Sequence, residues 1–407
     1  MNARTPFYGV AFALLCIALA LAAWRIVAHT AADSLAAADP ARALGWVDGH
    51  PDALLALAEQ QLAAGHATQA AGTARHLLQR APLEGRAWRI LAQGEVMAGR
   101  TDTARELYQR TIAATPHDIA ARAWLLQDHL NHQRHAEALG EIDRILRISP
   151  RLGRSLVPAL AQMASDADFA AAMIPLLARQ PPWRAPLLRE IQGGKHGQAE
   201  RVFDLLLQAG DLDPTEQRGW IEALMGQQRW GEAYAYWVPA VPPGQALTPV
   251  FNGSFERPIS GYGFDWRIVR VPGVAVDLQA DADPALGQVA HIRFNHRPAA
   301  HAGLQQALLL APGRYRFRVR MRADQLRSDG GLEWVLLCAS SGHGPLGTSE
   351  RLSGTFAWTT LTWEAQVPET CPGQWLRLRN PVPSGIGQFV SGQAWVAEVS
   401  AVPEARP

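Results

Sequence analysis

The residues best suited to ligand chemistry in this sequence are Trp375, Arg377 and Arg379, which alternate with Leu376 and Leu378. Successive side chains of a β-strand point to opposite faces, so the tryptophan and both arginines share one face. If the leucines face a core, the other three side chains face outward. An exposed indole offers an apolar face to a sugar ring, and guanidinium groups grip carboxylates through paired hydrogen bonds. The pattern predicts a binding face for an acidic carbohydrate.

A second basic feature is a stripe of five arginines, at every other position from Arg314 to Arg322, which includes Arg318 and Arg320. The residues between them are apolar, as in a strand with one buried face. We expect this stripe to join the Trp375 face in one basic surface. The alternative is a solvated face whose charge is balanced by Glu333 and Glu364 on neighbouring strands.

Trp266 is a further candidate for ligand binding, because it ends the glycine-rich segment Gly261-Tyr-Gly-Phe-Asp-Trp. Glycine-rich loops often rim binding sites, whereas most tryptophans of a β-domain belong to its core. Both interpretations of Trp266 remain open.

Catalytic signatures are absent from the sequence. His129, His132 and His135 have a spacing that suits a metal, but no cysteine lies near them, and a solvated turn is the simpler interpretation. There is no phosphate-binding glycine loop, no His-Glu-x-x-His motif and no nucleophile elbow. We expect a protein that is not an enzyme and that binds no cofactor, with an unrecognised catalytic centre as the alternative.

Charge and cysteine content narrow the class of protein. The formal net charge is +1 over 407 residues, and no basic run accompanies stacking aromatics, so we expect no nucleic-acid partner. Cys338 and Cys371 are the two cysteines outside the apolar N-terminal segment. In an exported domain they either form a disulfide or stay as two buried thiols.

The elements that hold these residues begin with a repeat. Pro82, Pro116 and Pro150 recur at an interval of 34 residues, and Gly65, Gly99 and Gln133 keep the same interval. A fixed period of this length predicts stacked helix–turn–helix units. Glycine suits the tight turn, and proline ends the second helix because it cannot continue the hydrogen-bond ladder.

The stretch from Trp88 through Gly99, Ala104 and Tyr108 to Pro116 resembles the tetratricopeptide (TPR) pattern. The resemblance implies an α-solenoid whose concave face holds a protein partner. The polar residues expected on that face are Glu59, Arg89, Gln93 and Gln127.

The N-terminus is apolar and has no charge between Arg4 and Arg25. About twenty residues at about 1.5 Å each span the hydrocarbon core of a bilayer. We expect an uncleaved single-pass anchor in a bacterial inner membrane, with the bulk of the chain in the periplasm. A cleavable signal peptide is the alternative, because Ala18-Leu-Ala and Ala20-Leu-Ala have the small-x-small form.

Beyond residue 237 the hydrophobic period changes from helical to alternating, after a proline-rich stretch that cannot be helical. Short alternating strands separated by glycine and proline predict an antiparallel β-sandwich. The predicted division is an anchor at 1–29, a linker at 30–48, TPR-like repeats at 49–237 (clear over 51–150, degenerate over 151–237), a linker at 238–248 and a sandwich at 249–403.

The sandwich opens with Phe251-Asn-Gly-Ser-Phe-Glu256 and closes with Gly392-Gln-Ala-Trp-Val-Ala-Glu398-Val. This order resembles the jelly-roll carbohydrate-binding modules with a galactose-binding-like fold. That family often holds a structural calcium between its opening and closing strands, which here implies Asn252, Glu256 and Glu398 as ligands. One carboxylate expected in the closing strand is replaced by Ala397.

These features together predict a membrane-anchored periplasmic scaffold that assists the assembly of an envelope or exported polysaccharide. The repeats would hold a protein partner and the sandwich would contact glycan. A purely protein-binding adaptor with a structural sandwich is the alternative.

Overall fold

The structure is a computed structural model that describes residues 5–340, 342, 344–383 and 386–404. Residues 1–4 of the predicted anchor lie outside this range. The chain divides into two compact units. The first contains residues up to 191 and residues 195–205, and the second contains 192–194 and the chain from 206 onward.

Fourteen α-helices lie within the described residues. They are α1 (Thr5–Leu35), α2 (Pro40–Trp46), α3 (Pro51–Ala63), α4 (Ala67–Arg80), α5 (Gly85–Met97), α6 (Thr101–Ala114), α7 (Ile119–Asn131), α8 (His135–Ile148), α9 (Gly153–Met163), α10 (Ala167–Leu177), α11 (Arg184–Gln192), α12 (Arg201–Gln208), α13 (Pro214–Gly226) and α14 (Trp230–Trp237).

From α3 to α8 the helices follow the predicted 34-residue repeat. Helices α4, α6 and α8 end at Arg80, Ala114 and Ile148, each two residues before one of the three periodic prolines. Ala104 and Ala138 are fully buried where the second helix of each pair crosses its neighbours. Small residues allow that close approach, so the period reflects helix packing.

The turns of the repeat adopt a left-handed backbone. Gly65 and Gly99 have φ of 81° and 72°, and Gln133, at the same place in the next repeat, has φ of 55°. Glycine adopts this conformation without a Cβ clash, whereas glutamine does so at a cost. The third turn therefore keeps the geometry of the first two with a less suitable residue.

Residues 30–48, predicted as a linker, are mostly helical and packed. Helix α1 continues to Leu35, and α2 follows after four residues. Ala32 and Ala36 are buried against Ala43 and Ala53. Alanines at helical spacing form a small packing face here, so the segment belongs to the helical array.

The C-terminal region forms two antiparallel sheets. The strands are β1 (Trp266–Ile268), β2 (Val274–Ala280), β3 (Gln288–Pro298), β4 (His301–Leu308), β5 (Gly313–Ser328), β6 (Glu333–Cys338), β7 (Pro345–Thr348), β8 (Gly354–Val367), β9 (Gln374–Arg379) and β10 (Phe389–Pro403).

The first sheet has the order β1-β4-β9-β6-β7, and the second has β2-β3-β10-β5-β8. If the edge strands β1 and β2 are set aside, the two sheets have the orders β4-β9-β6-β7 and β3-β10-β5-β8. This is the strand order of an eight-stranded jelly roll. The inner faces pack as one core around Trp266, Phe317, Trp334 and Leu376. The predicted sandwich is confirmed.

The boundary between the two units differs from the predicted linker at 238–248. Helices α13 and α14 group with the sandwich, because the aromatic side chains of α14 pack on it. The ring centroids of Trp237 and Phe251 lie 4.9 Å apart, and those of Tyr234 and Phe264 are also 4.9 Å apart. The proline-rich segment interrupts the helices without separating two compact bodies.

Candidate functional site

The strand faces around Trp375 are as predicted, but the outer face is covered. Leu376 and Leu378 are fully buried in the core, so Trp375 points away from it. The indole of Trp230 in α14 lies edge-on against Trp375, and the guanidinium carbon of Arg267 lies 5.0 Å from the Trp375 ring centroid. Trp375 is therefore an interface residue within the second unit, which contradicts its predicted role as an exposed sugar platform.

The two arginines beside Trp375 have different surroundings. Arg379 donates to Glu333 from Nε and Nη2, at 2.9 and 2.7 Å. Arg377 is half-buried and pairs with no carboxylate among the described residues. Burial, and then the neighbouring Arg379 guanidinium, lowers the pKa of Arg377. Arg379 is thus committed to Glu333, whereas Arg377 keeps an uncompensated charge.

Trp266 lies in the core and is fully buried. Its indole N–H donates to the carbonyl of Asn252 at 3.1 Å, and its ring lies 5.1 Å from that of Phe255. The predicted ligand role of Trp266 is therefore wrong. The glycine-rich segment before it serves to admit α14, because a Cβ at Gly263 would collide with Trp237.

Arg318 and Arg320 lie on β5 in the second sheet, whereas Trp375 lies on β9 in the first. The outer faces of the two sheets are on opposite sides of a sandwich. The single basic surface expected from the sequence therefore does not form. Strand alternation predicts which side chains share a face, but it does not predict which sheet a strand joins.

Most of the arginine stripe on β5 is ion-paired. Arg316 pairs with Glu404, Arg320 pairs with Glu398 at 3.3 Å, and Arg322 pairs with Asp281 at 3.4 Å. The sequence suggests Glu333 and Glu364 as the balancing acids. Glu333 lies on the first sheet and pairs with Arg379, and Glu364 lies opposite Arg316 on β8 without forming an ion pair with it. The stripe is thus balanced by Glu398 on β10, by Glu404 just after β10 and by Asp281 just after β2.

Like Arg314 at the start of the stripe, Arg318 in its middle lies outside these ion pairs. It is exposed and has no carboxylate partner among the residues that the structure describes. Its neighbours across the strands are Thr362 on β8 and Ser400 on β10. These residues line a groove of about 790 Å³ together with Thr360. A free guanidinium flanked by hydroxyl groups is suited to a ligand that has both carboxylate and hydroxyl groups.

A row of planar side chains lies beside this groove and was not identified from the sequence. The guanidinium of Arg322 lies 4.3 Å from the ring centroid of Trp395 and 5.3 Å from that of Trp358. His291 stacks on Trp395 at 4.7 Å with an interplanar angle of 6°. Trp358 shares strand parity with Thr360 and Thr362, and this signal could have placed it on the outer face.

The three residues implied as calcium ligands do not fit that ion. The side-chain oxygen of Asn252 accepts the backbone N–H of Arg257, and its amide donates to the Arg257 carbonyl. The carboxylate of Glu398 pairs with Arg320, and Arg318 lines the same groove as Glu256 and Glu398. Calcium requires six or more oxygen ligands, and here the side chains of Asn252 and Glu398 already serve protein groups, with Arg318 and Arg320 beside them.

The histidine spacing in the first unit also has a local explanation. His129 is buried and His132 caps the end of α7, where its Nδ1 lies 2.7 Å from the Asp128 carbonyl. Among the described residues, Asp33, His50 and Asp52 have possible metal-ligand atoms within 4.8 Å of one another. Both ring nitrogens of His50 are already engaged, by Asp33 and by the backbone N–H of Ala53.

Three of the four predicted concave-face residues are engaged by other side chains of the repeats. Glu59 accepts from Arg86 at 2.9 Å, and Arg89 reaches Asp118 at 3.1 Å. Gln127 is exposed and donates to Asn131, its neighbour one turn on, at 2.9 Å. Gln93, on α5, is half-buried. Glu59 and Arg89 thus connect neighbouring repeats, whereas Gln127 bonds within its own helix.

Cys338, at the end of β6, and Cys371, just before β9, stand in disulfide geometry with their Cα atoms 5.7 Å apart. The bond would join the two strands at one end of the first sheet, next to Gly373. Of the two alternatives left by the sequence, this geometry is that of the bonded pair.

Comparison with known proteins found matches to both parts of the chain. A family model for the tetratricopeptide repeat matches residues 55–119 and 93–152. The chain is similar to the solved structure of YrrB, described as a TPR protein with an unusual peptide-binding site, with 9% identity and a TM-score of 0.31 over 46% of this chain and 93% of that one. Residues 55–152 are thus tetratricopeptide repeats.

The C-terminal region matches structures of carbohydrate-binding modules. One is a module described under "CBM4 structure and function", with 16% identity and a TM-score of 0.30 over 38% of this chain and 99% of that one. Another is the CBM22-1 xylan-binding domain of Paenibacillus barcinonensis Xyn10C, with 11% identity and a TM-score of 0.27 over 38% and 94%. No curated protein matches the chain by sequence.

Proposed function

We propose that this protein is a non-enzymatic scaffold of the bacterial inner membrane that brings a protein partner and an acidic polysaccharide together on the periplasmic side. The repeats hold the protein, and the outer face of the second sheet binds the glycan. Its role is to assist the assembly of an envelope or exported polysaccharide. TPR repeats and sandwiches of this kind are non-catalytic in general, which supports a binding role.

The observation that carries the glycan proposal is Arg318 in its groove. It is the guanidinium in the middle of the stripe without a carboxylate partner among the described residues, and threonine and serine hydroxyls flank it. A uronic acid offers the carboxylate that Arg318 lacks, and sugar hydroxyls match Thr360, Thr362 and Ser400. The site that the sequence favoured, around Trp375, is not part of this proposal.

The test is retention of the detergent-solubilised full chain on immobilised alginate, with dextran as the neutral control. Arg318→Gln should weaken retention on alginate by about 10-fold, the usual effect of one charge-assisted hydrogen bond. Arg293→Gln removes the same charge from β3, where Arg293 pairs with Asp277, and should change retention little. Equal retention of wild type and Arg318→Gln on alginate, or equal binding to dextran, would refute this glycan site.

The membrane proposal rests on α1. Within the described residues, one helix is long and apolar enough to cross a membrane, over residues 10–35. Its apolar side chains from Val10 to Val27 are exposed, whereas Ala28 and Ala32 pack inside the protein. The geometry of Cys338 and Cys371 supports an oxidising compartment for the rest of the chain. Alkaline phosphatase fused after Pro407 should be active, and activity of only a cytoplasmic reporter there would reverse the orientation.

A protein-only adaptor is the second candidate function. The packing of α13 and α14 on the first sheet favours this function. A sheet that supports helices has a structural role whether or not the domain binds a sugar. Loss of surface polysaccharide when the gene is disrupted in its host would favour the first function, and unchanged polysaccharide would favour the adaptor.

A further inference from the structure

The first unit contains a groove of about 900 Å³ that none of the sequence patterns indicated. It lies between the end of α8 and helices α9 and α11, in the degenerate part of the array. Its lining combines apolar and basic side chains, among them Leu146, Val157, Arg154 and Arg189. It does not include the predicted concave-face residues Glu59, Arg89, Gln93 and Gln127.

The floor of the groove is apolar and rigid. Leu146 and Val157 are nearly fully buried beneath it. Four prolines contribute to the lining, namely Pro150, Pro158, Pro182 and Pro186. Proline rings have fixed φ and little side-chain entropy to lose, so a ligand that enters this groove orders few protein groups. Such a preformed surface favours binding of a short apolar segment.

Trp183 and Arg147 fix one wall of the groove. The indole N–H of Trp183 donates to Oδ1 of Asp143 at 3.0 Å, and Nε of Arg147 donates to Oδ2 of the same carboxylate at 2.8 Å. Both oxygens of Asp143 are thus engaged. This acid holds the wall in place, and its ion pair among the described residues is with Arg147.

The charge at the rim is therefore positive. Arg154 is exposed and makes no ion pair with any residue that the structure describes. Arg189 donates only to the carbonyl of Ala185, one turn back in its own helix. Glu190 is the acid in the lining, and it is held by His196 at 2.9 Å. Two guanidinium groups thus remain without carboxylates on either side of an apolar floor.

We propose that this groove binds an acidic peptide segment of the partner protein, with an aliphatic side chain on the floor near Val157 and carboxylates on Arg154 and Arg189. This inference rests on the proposed function, since it names the place and the chemistry of the partner that the repeats hold. Charge complementarity favours this occupant: a neutral or basic peptide would leave both guanidinium groups unpaired.

The test is selection of random peptides from a display library on the full chain in detergent. Peptides that combine Asp or Glu with Leu, Ile or Val should be enriched. The double variant Arg154→Glu/Arg189→Glu should bind a selected, fluorescein-labelled peptide at least about 30-fold more weakly, because two charge-assisted contacts become repulsive. Binding should also weaken as salt rises.

The matched control is Arg42→Glu/Arg75→Glu, which makes the same change of charge on exposed parts of α2 and α4 and should leave binding unchanged. All four arginines are exposed, so thermal unfolding should be close to that of wild type in both double variants. Enrichment of peptides without acids, or binding that survives the Arg154→Glu/Arg189→Glu change, would overturn the proposal for this groove.

The same selection separates this inference from the broader proposal. Selected peptides whose binding is lost in Arg89→Ala but kept in the groove variant would move the partner to the predicted concave face, and the scaffold function would stand. If no peptide is enriched, the groove is not a peptide site. The glycan experiment with Arg318→Gln is independent of every outcome here.

Discussion

The indole of Trp230 meets the indole of Trp375 edge-on, with ring centroids 5.7 Å apart and planes at 83°. This contact joins the last helical pair to the outer face of the first sheet. Gly373 lies beneath it, and a Cβ there would collide with the Trp230 ring. On the same interface, Arg267 of β1 donates to both carboxylate oxygens of Glu222 in α13 at 2.9 Å. The second unit is thus one body of helices and strands.

Replacement of Trp230 by alanine should destabilise the second unit by about 3–5 kcal/mol, since it empties a large buried site. Trp375→Ala should also destabilise it, though less, because Trp375 is only half-buried. Urea unfolding followed by near-ultraviolet circular dichroism measures both effects. Leu83→Ala, at a residue that is 81% exposed, is the control and should change stability by under about 0.5 kcal/mol. Wild-type stability of Trp230→Ala would show that α14 does not pack on the sheet.

Gln133→Gly should stabilise the first unit by about 0.5–1 kcal/mol. The left-handed backbone at Gln133 strains a residue with a Cβ, and relief of this strain exceeds the extra chain entropy of glycine. Gln127→Gly, inside α7, should instead cost about 1 kcal/mol, because glycine weakens a helix interior. Thermal unfolding of both variants compares the two positions. A loss of stability in Gln133→Gly would mean that this turn is not left-handed.

Arg105→Ala should cost about 2–4 kcal/mol, because it leaves the carboxylate of Asp128 buried with its main partner removed. Nε and Nη2 of Arg105 donate to the two oxygens of Asp128 at 2.6 and 2.9 Å, and the Asp128 side chain is 2% exposed. Arg86→Ala removes an exposed pair with Glu59 and should cost about 0–1 kcal/mol. Similar losses of folding stability in Arg105→Ala and Arg86→Ala would contradict the burial of Asp128.

Asp128 should also contribute to acid unfolding. The hydrogen bonds from Arg105 lower the pKa of Asp128 in the folded state. The unfolded chain therefore takes up the proton first, so this stabilisation is complete above about pH 4 and disappears as the pH falls through the lowered folded value. The stability difference between wild type and Asp128→Asn should be wide at pH 7 and should narrow progressively as the pH falls from about 4 to about 2. A constant difference over that range would exclude this linkage.

Denatured, non-reduced protein should show one free thiol, that of Cys16. Cys338 and Cys371 are 33 residues apart, and a loop of this length is stabilised by about 3–4 kcal/mol in the chain-entropy model. Cys338→Ser should therefore lower the stability of the second unit by a similar amount under oxidising conditions and have little effect after reduction of both proteins. Titration of three thiols would show that the pair is reduced.

Much of the fold follows from local pattern. The period of the prolines predicts that the second helix of each pair ends before Pro82, Pro116 or Pro150, because proline cannot continue the hydrogen-bond ladder. Alternation places Leu376 and Leu378 in the core and Trp375 outside it. Each inference depends on residues a few positions apart, and interactions at this range are read directly from the sequence.

The site depends on contacts between distant segments and was mostly not predictable. Alternation does not indicate that β5 and β9 belong to different sheets, nor that α14 covers Trp375. Degenerate repeats likewise give no sign that α9 and α11 leave a groove between them. The burial of Trp266 was undecidable for the same reason, because a glycine-rich loop admits either a ligand or, as here, the rings of a neighbouring helix.

Stacked helical repeats expose an apolar surface at each end, and soluble arrays of this kind close their ends with a polar terminal repeat. The last helical pair here has no polar covering of its own, since Trp230 and Trp237 are 2% and 3% exposed through contact with the sandwich. The jelly roll thus acts as the solubilising cap of the final pair. A chain shortened to end after α14 would expose both indoles to water, so this helical pair depends on the sandwich for its burial.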